Sequence, residues 1–281
     1  MSKIIHTDDI KNTIITLVHE ASFMLPSDVL SKFKKLKENE TNSLAIETLS
    51  IIEENNEIAL KEKIPLCQDC GVVMVFLDIG QDVSIKGDFI EDAVNDAVAL
   101  AYKENNLRKS VVNDPLRRIN SGTNTPIFLH SEITKGDSFK ITVYLKGGGS
   151  ENMTSLKMFR PTDSIDLIMD YIEDTIKYAG PNPCPPLFLG VGIGGTADVA
   201  LVNAKKALLN GADSKHSDPF YRDIEEKLFL RLNKSNVGPL GFGGKSTVAG
   251  VYIKEAPTHI ATLPIALNLN CHSFRCRSSI L

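Results

Sequence analysis

Residues 64–80 read IPLCQDCGVVMVFLDIG. Two cysteines three apart, Cys67 and Cys70, enclose Gln68 and Asp69. The chain then enters a nine-residue run dominated by Val, Met, Phe, Leu and Ile. An unbroken run of this kind fits a strand covered on both faces, not one with a wet side. The stretch also divides the chain. The residues upstream read as helical, and those downstream mix strands with helices.

Upstream, Thr7, Asp8 and Asp9 can cap a helix whose apolar residues Ile10, Ile14, Ile15, Val18 and Ala21 recur near the helical period. Pro26 and Ser27 open a second helix through Leu36, and residues 42–59 supply a third. Downstream, residues 88–107 set acids among apolar residues at helical spacing, which predicts a surface helix ending near Asn105 and Asn106. IFLHSEI and FKITVYLKGGG, joined by a turn at Lys135, Gly136 and Asp137, predict a hairpin. Residues 163–180 predict a helix started by Asp163 or Ser164 and stopped by Gly180. Residues 181–209 read as a proline-framed cysteine, a short strand, a glycine loop and a helix. Residues 218–236 give one more helix, and residues 238–277 alternate glycine loops with β-rich runs. No internal repeat, low-complexity tract or interdomain linker stands out. The expectation is one domain over residues 1–281 of mixed α and β (α+β) class. Its helical part runs to about residue 62, and its site-bearing part, a mixed sheet with helices and glycine-rich loops, spans residues 63–281.

The chain has 281 residues, 42% apolar and 23% charged, enough to bury a substantial core. A net charge of −4 gives no basis for nucleic acid or an anionic membrane as the main partner. The first residues, MSKIIHTDDIKNTIITLVHE, lack the apolar core and cleavage site of a signal peptide. No stretch approaches the roughly 18 apolar residues of a membrane span, so the cytoplasm is the expected location. Five cysteines, an odd number in a reducing compartment, favour metal binding, catalysis or plain burial over a disulfide framework.

Three glycine-rich stretches invite ligand readings. Gly190-Val191-Gly192-Ile193-Gly194-Gly195 is a literal GxGxxG between a strand and a helix. A dinucleotide site also needs a second strand ending in an acid, and the polar stretch GADSKHSDP stands there instead. GPLGFGGKST is one residue out of register with a P-loop, and a strand-like run succeeds it where a helix should open. Lys146-Gly147-Gly148-Gly149 could let a ligand approach the backbone closely, or could be a mobile loop. The cysteines form a C-x-x-C, a C-x-x-x-x-C at Cys271 and Cys276, and a single Cys184. Structural zinc held by the two pairs and iron–sulfur ligation both remain open on spacing alone.

CQDCG, NTPIFLH, KGGGSENM, CPPLFLGVGIGGT, GPLGFGGKST and NCHSFR occur in the order of their counterparts in one family. From about residue 64 onward the chain resembles the alpha, cluster-binding part of class I fumarate hydratases and L-tartrate dehydratases. The resemblance implies a [4Fe–4S] cluster on Cys67, Cys184 and Cys271, with one iron left without a protein ligand. Cys70, where the family more often has threonine, and Cys276 would then be spare thiols, although Cys70 so near the cluster could act as an alternative ligand or an oxidation target. Gln68 and Asp69 match substrate-contacting residues, with Asp69 in proton transfer. Arg108 matches a carboxylate-binding arginine, Gly148 and Gly149 match the glycine loop near the substrate, and His259 matches an active-site histidine. His130, between apolar neighbours, reads as a packed strand residue.

The implied activity is reversible hydration of fumarate to (S)-malate, an iron with an open position aiding hydroxide departure and a positioned base taking the proton. L-tartrate and mesaconate, a methylated fumarate, are the alternatives. A non-catalytic metal or sensor protein is the reading from another class. Single-chain relatives continue into a C-terminal domain, whereas this chain stops ten residues past Cys271. The expected partner is therefore a beta subunit carrying that domain, in a heterotetramer built from two such pairs.

Overall fold

A computed structural model describes residues 3–281. Its elements run β1 (Lys3–His6), α1 (Thr7–Phe23), α2 (Ser27–Asn39), α3 (Ser43–Glu62), β2 (Val72–Gly80), β3 (Val83–Lys86), α4 (Ile90–Glu104), β4 (Phe128–Thr134) and β5 (Phe139–Lys146). They continue α5 (Gly148–Glu151), β6 (Ser155–Phe159), α6 (Ile165–Ala179), β7 (Leu187–Gly194), α7 (Ala197–Lys206), α8 (Pro219–Leu232), β8 (Val248–Ala256), β9 (Leu263–Asn270) and β10 (Cys276–Ile280). The class is mixed α and β, as expected. The residues group into two compact units, each assembled from separated stretches of chain.

The first unit gathers residues 3–24, Ile58–Gly148 and Arg275–Leu281. Its four-stranded sheet has the order β10-β5-β2-β4, with β2 antiparallel to β5 and parallel to β4. Val73, Val75 and Leu77 of β2 and Ile141, Val143 and Leu145 of β5 pack with Ile10, Ile14, Val18 and Ala21 of α1 and with Val94, Ala97, Val98 and Ala101 of α4. The predicted hairpin is wrong, because β4 and β5 lie on opposite sides of β2. β2 is the most continuously apolar of the three, and its place between β5 and β4 pairs both its edges. The predicted turn instead wraps the end of β2. Gly80 N–H donates to Ser138 O at 2.7 Å, and Asp82 N–H donates to Gly136 O at 3.0 Å. A side chain at Gly80 would meet Gly136 O at 2.4 Å. Thr7 is not a cap either. It is the first helical residue, and its Oγ1 accepts from the Asp88 N–H at 3.0 Å.

The second unit gathers Leu25–Glu57 and Gly149–Phe274, with a sheet of order β6-β9-β7-β8. Leu189 and Val191 of β7, Val251 and Ile253 of β8, and Ile265, Leu267 and Leu269 of β9 form one core with α6 and α8. α6 obeys its sequence signals. Ser164 Oγ accepts from the Leu167 N–H at 3.2 Å, and Gly180 ends the helix at φ 53°. The expected glycine loop at residues 190–194 is a correction, since these residues are the strand β7 itself. A Cβ at Gly190 would lie 1.9 Å from Ala204 O, and one at Gly192 would lie 1.9 Å from Ala200 O. These glycines let α7 press against the sheet. They do not cradle a phosphate.

The P-loop-like stretch is also explained within this unit. Lys245 N–H and Ser246 Oγ–H donate to Glu40 Oε2 at 2.7 and 2.8 Å. Thr41 and Asn42 N–H donate to Oε1 at 2.8 and 3.1 Å. The anion held by this loop is the chain's own carboxylate, 6% exposed. Burial pushes the Glu40 carboxyl up, but the four hydrogen bonds more than offset it and hold it below the usual range.

Candidate hydro-lyase site

In the first unit the CQDCG loop joins α3 to β2 and is anchored by Leu66 N–H donating to Ser22 O at 2.9 Å. Asp69 is held at three points. Gly71 N–H donates to Oδ1 at 3.0 Å, and Gly148 N–H donates to Oδ2 at 2.7 Å. The Arg275 guanidinium donates through Nη1 to the Asp69 carbonyl at 2.6 Å. The structure thus brings together Asp69, Gly148 and the loop carrying Cys67 and Gln68, residues nearly eighty positions apart in sequence.

Two further residues brace the loop and were not anticipated as part of a site. Tyr102 Oη–H donates to Cys70 O at 2.9 Å, with a longer contact to Gly71 O at 3.2 Å, and burial pushes its phenol up. Asn124, at φ 64°, donates to Gly71 O at 3.2 Å and accepts from the Ser110 N–H at 2.7 Å. Asn124 belongs to the quoted NTP motif, which was the available signal. Tyr102 looks like any aromatic residue on the inner face of a helix.

Cys67 is half-buried and Gln68 exposed. Cys70 is 3% exposed, and its Sγ accepts the Arg108 N–H at 3.1 Å. Burial pushes its thiol up. The Arg108 side chain is exposed. His130 is half-buried on β4, stacked on Phe76 with ring centroids 4.7 Å apart.

In the second unit Cys184 is exposed and Cys271 half-buried. Cys184 stands at φ 53°, a left-handed conformation that non-glycine residues seldom adopt and that is over-represented at functional sites. His272 N–H donates to Cys184 O at 3.1 Å, and His272 Nδ1 stands 3.1 Å from the same oxygen. The chain segments of Cys184 and Cys271 are thereby tied together. Gly149 lies so near this region that a Cβ would meet Asn182 O at 2.8 Å. Asn270, next to Cys271, is 1% exposed, and among the described residues neither of its amide atoms has a partner. His259 lies in the turn between β8 and β9. It lines a cleft of about 600 Å³ with Thr196, Thr258 and Thr262, and its Nδ1 accepts from the Ala261 N–H at 3.1 Å.

Cys67, Cys184 and Cys271 are half-buried or exposed thiols on loops, and none of the five cysteines is in a disulfide. Thiols of this kind are the donors that an iron–sulfur cluster takes. Among the described residues no three of His, Cys, Asp and Glu converge as they would about one metal ion. The four-sulfur zinc arrangement would need Cys70, which is packed in the core of the first unit.

The fumarate hydratase (Fumerase) family profile matches residues 11–279. A Methanocaldococcus jannaschii protein, provisionally named L(+)-tartrate dehydratase subunit alpha, is 38% identical over 272 residues, 95% of each chain. The L(+)-tartrate dehydratase subunit alpha of Escherichia coli K12 is 31% identical over 258 residues, 90% of this chain and 84% of that one. The chain belongs to the fumarate hydratase family, as a hydro-lyase of the alpha-subunit type.

Proposed function

We propose that this chain is the alpha subunit of a two-subunit [4Fe–4S] hydro-lyase interconverting fumarate and (S)-malate, with Cys67, Cys184 and Cys271 holding the cluster. When bound, the cluster supplies an iron with an open position, a Lewis acid for the substrate hydroxyl and carboxylate. The observation that carries the proposal is the Asp69 cradle. A carboxylate two residues from Cys67 is fixed by two backbone N–H groups and keeps lone pairs for a proton. The exposed Gln68 and Arg108 offer an amide and a guanidinium fork to substrate carboxylates. Gly148 and Gly149 give the substrate close access to the backbone, and His259 serves as the proton-relaying histidine. The partner is a beta subunit carrying the complementary domain, in a cytoplasmic heterotetramer.

A second reading, L(+)-tartrate dehydration, is favoured by the names of both relatives. The first test is anaerobic iron and sulfide analysis of the chain. About four of each are expected, lost in Cys67→Ser, Cys184→Ser and Cys271→Ser but kept in Cys70→Ser and Cys276→Ser. Zinc without sulfide, dependent on Cys70 and Cys276, would overturn the proposal. Turnover of fumarate, L-tartrate and mesaconate by the chain with its partner then ranks the substrates.

A further inference from the structure

Arg275 was not among the expected site residues, yet it is a buried charge of the first unit that reaches the site loop. It is 2% exposed, its Nε has no partner, and it enters no ion pair among the described residues. A guanidinium has five N–H donors, and burying it without a direct ion pair is costly enough that folded chains rarely do so. Among the described residues its one side-chain hydrogen bond goes to the Asp69 carbonyl. Its own carbonyl accepts from the Leu145 N–H at 2.9 Å, fixing its main chain to the strand that leads into the glycine loop. Gly147 lies between the two side chains. A Cβ there would come within 3.1 Å of Asp69 Oδ2 and 3.4 Å of Arg275 Nη2.

We propose that Arg275 is the positioning residue of Asp69, an inference that rests on the hydro-lyase reading above. It grips the main chain of residue 69 and keeps the carboxylate on the Gly71 and Gly148 amides. A carboxylate on a flexible loop would be elsewhere for much of the time, and small misplacements of a proton-transfer group cost rate steeply. Gly147 is part of the device, since a Cβ there would press on the Asp69 carboxylate and shift it by a few tenths of an ångström. A lysine keeps the charge but has no rigid planar guanidinium to hold the Asp69 carbonyl in place.

The test uses Arg275→Lys, Arg275→Met and Gly147→Ala. In the full alpha chain, hydrogen exchange at the Gly71 and Gly148 amides should quicken about tenfold or more in both arginine variants, with amides of the second unit unchanged. In the chain with its partner, kcat should fall about 10- to 100-fold with KM within about threefold and iron and sulfide content unchanged. Gly147→Ala should give the same kcat signature without removing the charge, which covers the case where the arginine variants fold poorly. Unchanged exchange at both amides, or a loss confined to KM, would overturn the proposal. If the unaltered complex turns over no substrate, the hydro-lyase reading fails, while the exchange experiment still decides whether Arg275 holds the loop.

Discussion

Replacing Glu40 by glutamine tests whether the GFGGKS loop is an internal anion site. The carboxylate accepts four hydrogen bonds from Thr41, Asn42, Lys245 and Ser246, two on each oxygen. An amide keeps one oxygen, presented to Thr41 and Asn42, but turns an NH2 toward the Lys245 N–H. The Ser246 hydroxyl can rotate to accept from that NH2, whereas the Lys245 N–H cannot. Demoting three charge-assisted bonds, the reversed Ser246 bond included, costs about 1 kcal/mol each and orphaning one buried N–H about 2, a total of about 5 kcal/mol. With a urea slope of about 3 kcal/mol/M for a chain of this size, the midpoint should drop by about 1.7 M at neutral pH. The effect is linked to protons. The folded-state carboxyl lies below its unfolded value of about 4.3, so its stabilisation is complete above that value and lost as pH falls through the folded one. The deficit of Glu40→Gln should therefore shrink as pH falls below about 4.3 and on through the lowered folded-state value, where the parent also carries a neutral group. Urea titrations followed by circular dichroism at neutral and acid pH provide the measurement. Equal midpoints at neutral pH, or a deficit that persists undiminished at acid pH, would refute the charge-based account.

The geometry sets three other expected outcomes. Asp69→Asn should abolish turnover with the cluster absorption unchanged, because an amide turns an NH2 toward one of the two N–H groups that hold the carboxylate; retained activity removes Asp69 from the chemistry. Gly192→Ala places a methyl 1.9 Å from Ala200 O, and forcing α7 off β7 should cost about 3 kcal/mol, read as a lowered urea midpoint. In the metal-depleted chain under native conditions, iodoacetamide should label the exposed Cys184 about 100-fold faster than the buried Cys70, with mass spectrometry comparing the two sites; equal rates would contradict the burial.

The parts of the fold that were legible are those governed by neighbours in sequence. β2 occupies the whole VVMVFLDIG run, and α6 runs between the predicted serine cap and terminal glycine, because unbroken apolarity and local capping act over a few residues. The hairpin between β4 and β5 failed because strand partnership is decided by a third strand, which the turn sequence at Lys135, Gly136 and Asp137 does not announce. The glycines of β7 are defined by the helix that comes after them, so their motif resembled a nucleotide loop while their cause was packing. Nothing in the residues around Glu40 signals a loop two hundred positions away. In the site, Asp69 could be picked out beside Cys67, but its hold on Gly148 and its dependence on Arg275 come from the strands β5 and β10 that carry those residues there. The cysteines were separable only through the order of the motifs around them.

The two cysteines of the C-x-x-C show why composition of a motif is not enough to assign its chemistry. A metal takes the thiolate, so a ligand must lose its proton and reach the metal. Cys70 does neither easily. It packs with Val73, Val75 and Leu145 in the core of the first unit, burial holds its proton on, and its sulfur already accepts the Arg108 N–H. Ligating a metal would break that bond and open a gap beside β2. Cys67, three residues earlier, is half-buried on the loop and outside that core. Between them the chain turns sharply. Asp69 directs its carboxylate to Gly148, while the next side chain goes inward, and Gly71 at φ 81° passes so close to Lys146 that any Cβ would lie 2.7 Å from its carbonyl oxygen. A loop pinned in this way at Asp69, Cys70 and Gly71 cannot swing both sulfurs to one ion. It holds one thiol back as packing and leaves the other beside the carboxylate.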